Sequence, residues 1–564
     1  MGATQSKSSP YVLDTKKGKL NGIEQKDLSG KPVLYRYTKI PYARPPVGSL
    51  RWRRPSPLPS DFSFSTASGE PGDYSQFGPI CPQPEYGHGA ALLENQDAAP
   101  KIQNVQSEDC LYLNIWVPAG PSPSSGWPVQ FQIHGGWLQV GDANQSNDHD
   151  PYDIFAHGHP RIIVSVTYRL NLFGFLAGSD LASAERADPT PGNYGLWDQR
   201  IALEWVHQNI ALFGGNPDMI TVGGLSAGAH SALLQLYYDT YLPDSKRIIK
   251  QVYMWSNAMV IQPNPSTSPI LTDQFNSLCE ALSIDTSSNA TPESKLAALR
   301  KVPSDQLVGT ISKLKMHTFR TSTDDSFLSK NYLNTLHDGT FAAMLAKHGV
   351  RLVVGEVGDE ALLYKLVNPP STCEGLVSQL RNYYPKPIVD KLLTLTDVYD
   401  IPDSKKDDAN SQETKERYED VFANMVADMQ VHVAIRGLAK CLAVDAGSRS
   451  PEVMRYRIEW RAKALDGWLM PKVRVCHGAD TSIWWMSSWR TGQTEKDNQN
   501  ALTFLKSFGH FLDGKDLGVK AATVSRIAKR LDSEGQTHDD VEDELWERSM
   551  RIWEAVEEAS KATT

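Results

Sequence analysis

No stretch of this 564-residue chain comes near the roughly 18 consecutive apolar residues that a membrane-crossing helix needs, and no transmembrane segment is expected. The first 30 residues hold no apolar signal-peptide core, so no secretory leader is expected and the reading is of a cytoplasmic protein. Basic residues do not predominate. A formal net charge of −9 and an isoelectric point near 5.9 argue against nucleic acid as a partner, because a phosphate-binding face needs a basic stripe. The six cysteines (Cys81, Cys110, Cys279, Cys373, Cys441 and Cys476) include no C-x-x-C pair, which argues against a structural zinc site. Without secretion they are expected as thiols. Asp148, His149, Asp150, Asp153, His157 and His159 fall close together, but their spacing fits no ligand pattern, and no metal or cofactor is assigned. Internal repeats are absent as well.

What the chain does contain is a G-x-S-x-G pentapeptide, Gly224-Leu225-Ser226-Ala227-Gly228. A serine hydroxyl is a poor nucleophile and must project from a sharp strand-to-helix turn toward a base. That turn strains the backbone and crowds its neighbours, and the flanking glycines relieve both problems. Forty glycines make an accidental match common, so context decides. Met219–Val222 reads as a buried strand and Ala229–Tyr238 as an apolar helix.

Residues 1–12 read as a flexible tail and 13–564 as one catalytic domain. Within the tail, Met1 to Ser6 fits the myristoylation pattern at Gly2, against the plainer reading of a polar end; one acyl chain would give only marginal, reversible membrane contact. Lys19–Gly22 and Val33–Tyr37 read as hairpin strands, Ile40–Trp52 as an extended Pro-rich run, and 55–107 as long loops. Core strands are expected at the end of Ser107–Val117, at Val129–Ile133, at Arg161–Tyr168, at Gln251–Trp255 and at Leu352–Gly355, with a last one at Val473–Cys476. Trp197–Phe213 has helical spacing, and an amphipathic helix is expected within Asp540–Ala562. Residues 265–345 are mostly helical patterns, expected as a lid. Strands alternating with helices imply a parallel-rich sheet covered on both faces.

Several further blocks carry a resemblance. Ile40 to Trp52, Ser107 to Ile115 (Ser-Glu-Asp-Cys-Leu-Tyr-Leu-Asn-Ile), and Gly192 to Arg200 leading through Phe213-Gly214-Gly215-Asn216-Pro217 resemble, in order, the signature runs of the type-B carboxylesterases, the family of cholinesterases and fungal lipases. The resemblance covers nearly the whole chain, from Gly18 to about Gly514. It implies an α/β-hydrolase fold: a large, mostly parallel central sheet, helices on both faces, and long helical and loop insertions over the active site. It also implies a serine carboxylic ester hydrolase acting on a small-molecule ester. Ser226 falls on the nucleophile. His477, in Val475-Cys476-His477-Gly478-Ala479-Asp480, is similar to the general base, and Glu360, in Gly355 to Ala361, looks like the acid. Glu356 and Asp359 are then structural or solvated acids. By resemblance the oxyanion hole takes backbone N–H groups of Gly136, Trp137 and Ala227; Ser256 supports the acid, and Gly135 stands behind the hole. Leu138, Trp484 and Trp485 are expected to shape the substrate pocket. Two buried ion pairs are implied, Arg51 with Glu108 and Arg169 with Asp198.

Three departures mark the chain. Where the family usually has H-G-G-G-F, the third glycine is Trp137; its N–H survives, but its bulk is expected in the acyl pocket, restricting the acid side of the substrate. Leu225 stands where a glutamate usually precedes the serine, which changes the electrostatics behind the nucleophile without abolishing catalysis. Cys81 and Cys110 match a family bridge, but Ala298 replaces the partner expected for Cys279, which fits a reducing compartment. The sequons at Asn144 and Asn289 are then unused. The same triad would serve an acyl transferase, lactonase or cyclase acting on a specialised metabolite. The family's non-catalytic binding proteins lose triad residues, all of which are kept here.

Overall fold

The computed structural model describes residues 7–85, 105–144, 151–184, 191–258, 260–367, 369–403, 407–443, 450–467, 469–470, 473–486, 494–517 and 526–561. Gly2, the rest of the first sequon after Asn144, and Asp148, His149 and Asp150 lie outside them.

Among the described residues the chain builds a mixed sheet from β1 (Lys7–Thr15), β2 (Gly18–Lys26), β3 (Pro32–Pro41), β4 (Gly72–Asp73), β5 (Tyr112–Pro118), β6 (Trp127–Ile133), β7 (Ile162–Val166), β8 (Gly215–Leu225), β9 (Gln251–Trp255), β10 (Arg351–Val357), β11 (Glu452–Ile458), β12 (Ile527–Leu531) and β13 (Thr537–Glu542). The strand order is β1-β2-β3-β5-β7-β6-β8-β9-β10-β11-β12-β13, with β4 beside β2. From β7 to β12 every pairing is parallel; the two ends are antiparallel. A parallel sheet must be covered on both faces, and the strands show it. All five residues of β7, Ile-Ile-Val-Ser-Val, are buried. Along β9, Val252 and Met254 enter one apolar core while Tyr253 and Trp255 enter the other. The alternation is the period of two that sends successive side chains to opposite faces. Helices Tyr194–Asn209 and Ala227–Thr240 contribute to the first core, and Glu495–Leu512 to the second. No described helix is long and apolar enough to cross a membrane.

Two expectations are corrected. Half of the expected tail is ordered: from Lys7 onward it forms β1, paired with β2 over nine residues. Val473–Cys476 is not a core strand. The place beside β10 is taken by β11, and the segment makes only a single bridge, Cys476 with Asp359. β11 itself escapes an apolar-run reading because Arg455 and Arg457 interrupt it. Both arginines pair with acids inside the molecule. Glu356 at the end of β10 accepts from Arg436 (2.8 Å), Arg457 (2.7 Å) and His432 (2.8 Å), while Asp543, just past β13, accepts from Arg436 (2.8 Å) and Arg455. Burial opposes ionisation of Glu356, but Arg436 and His432 hold its carboxyl well below the usual range. The network ties the C-terminal hairpin, and with it helix Trp546–Lys561, to the central sheet.

Cys81, Cys110 and Cys279 are buried thiols. Cys81 Sγ accepts from the Leu170 N–H (3.3 Å). Both implied ion pairs are present. Arg51 Nε donates to Glu108 (2.7 Å), and Arg169 donates twice to Asp198 from its side chain (2.8 Å each) and once from its backbone N–H (3.0 Å). Because both partners of the second pair are almost fully buried, Asp198→Ala strands a cation in the core and is expected to cost roughly 3–5 kcal/mol. The Asp198→Leu, Arg169→Met double variant should recover much of that loss; urea midpoints at constant slope make the comparison.

Candidate active site

The candidate site lies along the carboxyl edge of the parallel strands. β8 ends at Leu225, and helix Ala227–Thr240 starts one residue later. Between them Ser226 holds φ 58° and ψ −123°, a conformation that costs a non-glycine residue roughly 1–3 kcal/mol. Its surroundings enforce it. Ser226 N–H donates to Trp255 O (2.8 Å), and Ser226 O accepts from His230 N–H (3.0 Å). A β-carbon on Gly224 or on Gly228 would collide with Ile133 O, the last carbonyl of β6. On Gly135 it would stand 2.8 Å from Leu225 O and 3.2 Å from Ser226 Cβ. The glycines are therefore set by the contact of one strand end with the elbow.

The turn after β6 is strained too. Gly136 has φ 110°, and Trp137 (φ 56°) and Leu138 (φ 66°) follow it in the left-handed region, rare for bulky residues. Gly136 O accepts from Gln139 N–H (2.9 Å) and Val140 N–H (3.0 Å). The buried Gln139 side chain donates to Trp137 O (3.1 Å) and Phe319 O (2.6 Å) and accepts from Phe319 N–H (3.0 Å). Asn171 N–H holds Leu138 O at 2.7 Å. Among the described residues, the N–H groups of Gly136 and Ala227 donate to no protein acceptor. Ala227 also opens a helix, where backbone N–H groups and the helix dipole favour negative charge. The Trp137 ring meets the Tyr364 ring edge-on (6.3 Å, 70°), and Tyr364 in turn lies 5.6 Å from the His477 ring.

Glu360 follows β10, and its fully buried carboxylate accepts from Val357 N–H (2.9 Å) and from His477 Nδ1 (2.6 Å). A carboxylate only accepts, so in the neutral ring the proton sits on Nδ1 and Nε2 carries the lone pair. Nε2 is buried and carries no hydrogen bond, to Ser226 or any other group. The loops of the pair are joined by Asp359 N–H to Val475 O (2.9 Å). Ser256, expected to support the acid, does not hydrogen-bond it. Its hydroxyl is buried without a partner, its N–H goes to Gly355 O, and the Val357 backbone takes the supporting role. Leu225 packs among the second core's apolar side chains, with Gly478 nearby.

A cavity of about 100 Å³ opens on Ser226, with Trp137, Leu138 and Ala227 in its wall. Trp484 and Trp485 do not line it; this is a correction. The chain turns from His477 into helix Thr481–Trp484, which runs into the second core. There Trp484 stacks on Trp255 (4.6 Å, 10°) and donates Nε1–H to Asp480 (2.7 Å). Burial, reinforced by Glu360, pushes the Asp480 carboxyl up to about 6 against the lowering effect of that bond.

Several wall residues were not foreseen. His230 is one helical turn beyond Ser226, so helix spacing alone places it on the nucleophile's face. Burial, then the charge of Arg320, pushes its pKa down to about 3, so the ring is neutral. Arg320 and Leu271 come from the 265–345 region, and Arg381 and Tyr383 from further on. Met429 and Gln430 arrive on a π-turn, Asp428–His432, inserted between helices Gln412–Ala427 and Val433–Leu442. No local pattern announces these. The described residues hold no group of three or more metal-ligating side chains.

A carboxylesterase family model matches residues 9–518. An uncharacterised esterase/lipase of Schizosaccharomyces pombe is 39% identical over 97% of this chain and 98% of its own. A carboxylic ester hydrolase of Gibberella moniliformis is 34% identical over 95% and 94%. A cholinesterase of Mus musculus is 37% identical over 42% of this chain and 36% of its own. The chain belongs to the carboxylesterase family, and it is a carboxylic ester hydrolase with the α/β-hydrolase fold.

Proposed function

We propose that ester hydrolysis proceeds through Ser226, His477 and Glu360, with an acyl-enzyme intermediate. The observation that carries the reading is the His477–Glu360 pair, with Nε2 unbonded, at the same sheet edge as a serine held in a strained elbow. Ser226 Oγ attacks the ester carbonyl as its proton passes to His477 Nε2. Glu360 holds the tautomer and stabilises the imidazolium. The carbonyl oxygen becomes an oxyanion facing the N–H groups of Gly136, Trp137 and Ala227, whose cost of alignment is met during folding. Collapse of the intermediate breaks the bond to the alcohol, which leaves with the proton from Nε2. Water then repeats the sequence on the acyl-enzyme, releasing the acid and restoring Ser226.

Trp137 stands where the family usually has a glycine, and its ring in the cavity wall favours short acyl groups. The Ser226→Ala variant is expected to lose roughly 10⁴- to 10⁶-fold in kcat on p-nitrophenyl acetate and to resist labelling by a fluorophosphonate; Glu360→Gln is expected to lose about 10⁴-fold. Retained turnover in Ser226→Ala would overturn the assignment. Trp137→Gly removes the ring at a backbone position glycine adopts freely. Its kcat/KM profile across p-nitrophenyl esters from acetate to octanoate should shift toward the longer chains, and an unchanged profile would remove Trp137 from acyl selection.

A further inference from the structure

We propose that the ester turned over here carries a free carboxylate away from the scissile bond, received by Arg320 with Arg381 nearer the mouth of the cavity. The proposal rests on the reading of Ser226 as nucleophile and goes beyond it to the substrate's class.

The charge of the cavity is the first observation. Among the described residues its wall contains Arg320 and Arg381 and no aspartate or glutamate. His230 is neutral, so the fixed charge is that of the two guanidiniums. The second observation is how Arg320 is held. Elsewhere in the molecule Arg51, Arg169, Arg200 and Arg436 each meet at least one carboxylate. Arg320 meets none. Its Nε donates to Asn382 O (3.0 Å) and its guanidinium lies 4.3 Å from the centre of the Tyr383 ring, while Nη2 is buried with no hydrogen-bond partner. The side chain is only half-buried, but a ring face and one carbonyl leave Nη2 unpaired and out of reach of water, which is costly for a cation.

A carboxylate completes this arrangement. It brings one negative charge and two in-plane oxygens, the geometry a guanidinium matches. The distance to the nucleophile is short. His230 is one turn from Ser226 on the same helix, and its Nε2 lies 3.3 Å from Thr321 Oγ1, next in the chain to Arg320. The substrate's carboxylate and its ester are therefore separated by a short linker. Arg381 is partly exposed and pairs with Asp390 at 3.7 Å, which offsets its charge and leaves Arg320 as the uncompensated cation of the wall.

The test compares matched esters on the full chain. Monoethyl glutarate against ethyl valerate, followed by pH-stat, puts the carboxylate on the acyl side; 4-acetoxybenzoate against its methyl ester puts it on the leaving group. In at least one pair the acid should have a kcat/KM at least about tenfold above its neutral partner, after correction for the alkaline hydrolysis rates. In Arg320→Gln that ratio should fall to within about twofold of unity, and Arg320→Lys should keep part of it. Equal or poorer turnover of the acid in both pairs by the unmodified protein overturns the proposal, as does a preference that survives Arg320→Gln. If all four esters are refused while a fluorophosphonate still labels Ser226, the carboxylate inference falls alone. If labelling fails too, the Ser226 reading falls with it.

Discussion

The structure depends on one close approach. The carbonyl of Ile133, at the end of β6, sits where β-carbons on Gly224 and Gly228 would be. That contact brings the β6 turn against the β8 elbow, and it explains the glycines on both sides of Ser226 and the one at position 135. It also brings the turn at Gly136 close to the helix start at Ala227. A side chain at either elbow glycine would separate them. The strain at Ser226, Trp137 and Leu138 is sustained because strand registers and the buried Gln139 bonds determine these angles from several directions at once.

Charge is handled in opposite ways on the two sides of this elbow. Behind it, at the end of β10, two acids four residues apart are separated in role by their partners. Glu356 is saturated by Arg436, Arg457 and His432, whereas Glu360 meets one backbone N–H and one imidazole. The first is locked into structure, and the second keeps only His477 as its side-chain partner, which suits the role proposed for it. Leu225 contributes no charge beside them. In front of the elbow, the cavity wall is positive.

Most of the sheet was legible because its central strands are short apolar runs that end where chemistry begins. β6, β7 and β9 appear near their observed limits, and the elbow is announced by its glycines. β11 was not legible, because Arg455 and Arg457 look like surface residues until Asp543 and Glu356, distant in sequence, come together around them. β1 was missed for a related reason: an edge strand with one exposed face carries little apolar signal. Within the candidate site, motif-bearing residues were readable and wall residues mostly were not. Trp484 and Trp485 follow His477 in sequence, yet the helix they enter turns away into the second core. Arg320 lies in a stretch with no motif at all, and its environment exists only once Tyr383, Asn382 and His230 have converged on it.

The π-turn at Asp428–His432 has a consequence for how the family's members can differ in length. Within one widened turn, Met429 and Gln430 face the cavity, Asp428 takes Tyr399 and Arg548, and His432 takes Glu356. Such turns commonly arise by insertion of a single residue into an α-helix. Each residue added or deleted rotates everything beyond it by roughly 100°. A further indel between Tyr418 and Arg436 would therefore move the cavity floor and the ion network out of step together. Surface loops elsewhere tolerate changes in length, whereas this helix holds cavity and ion network in one register that a substitution preserves and a change of length does not.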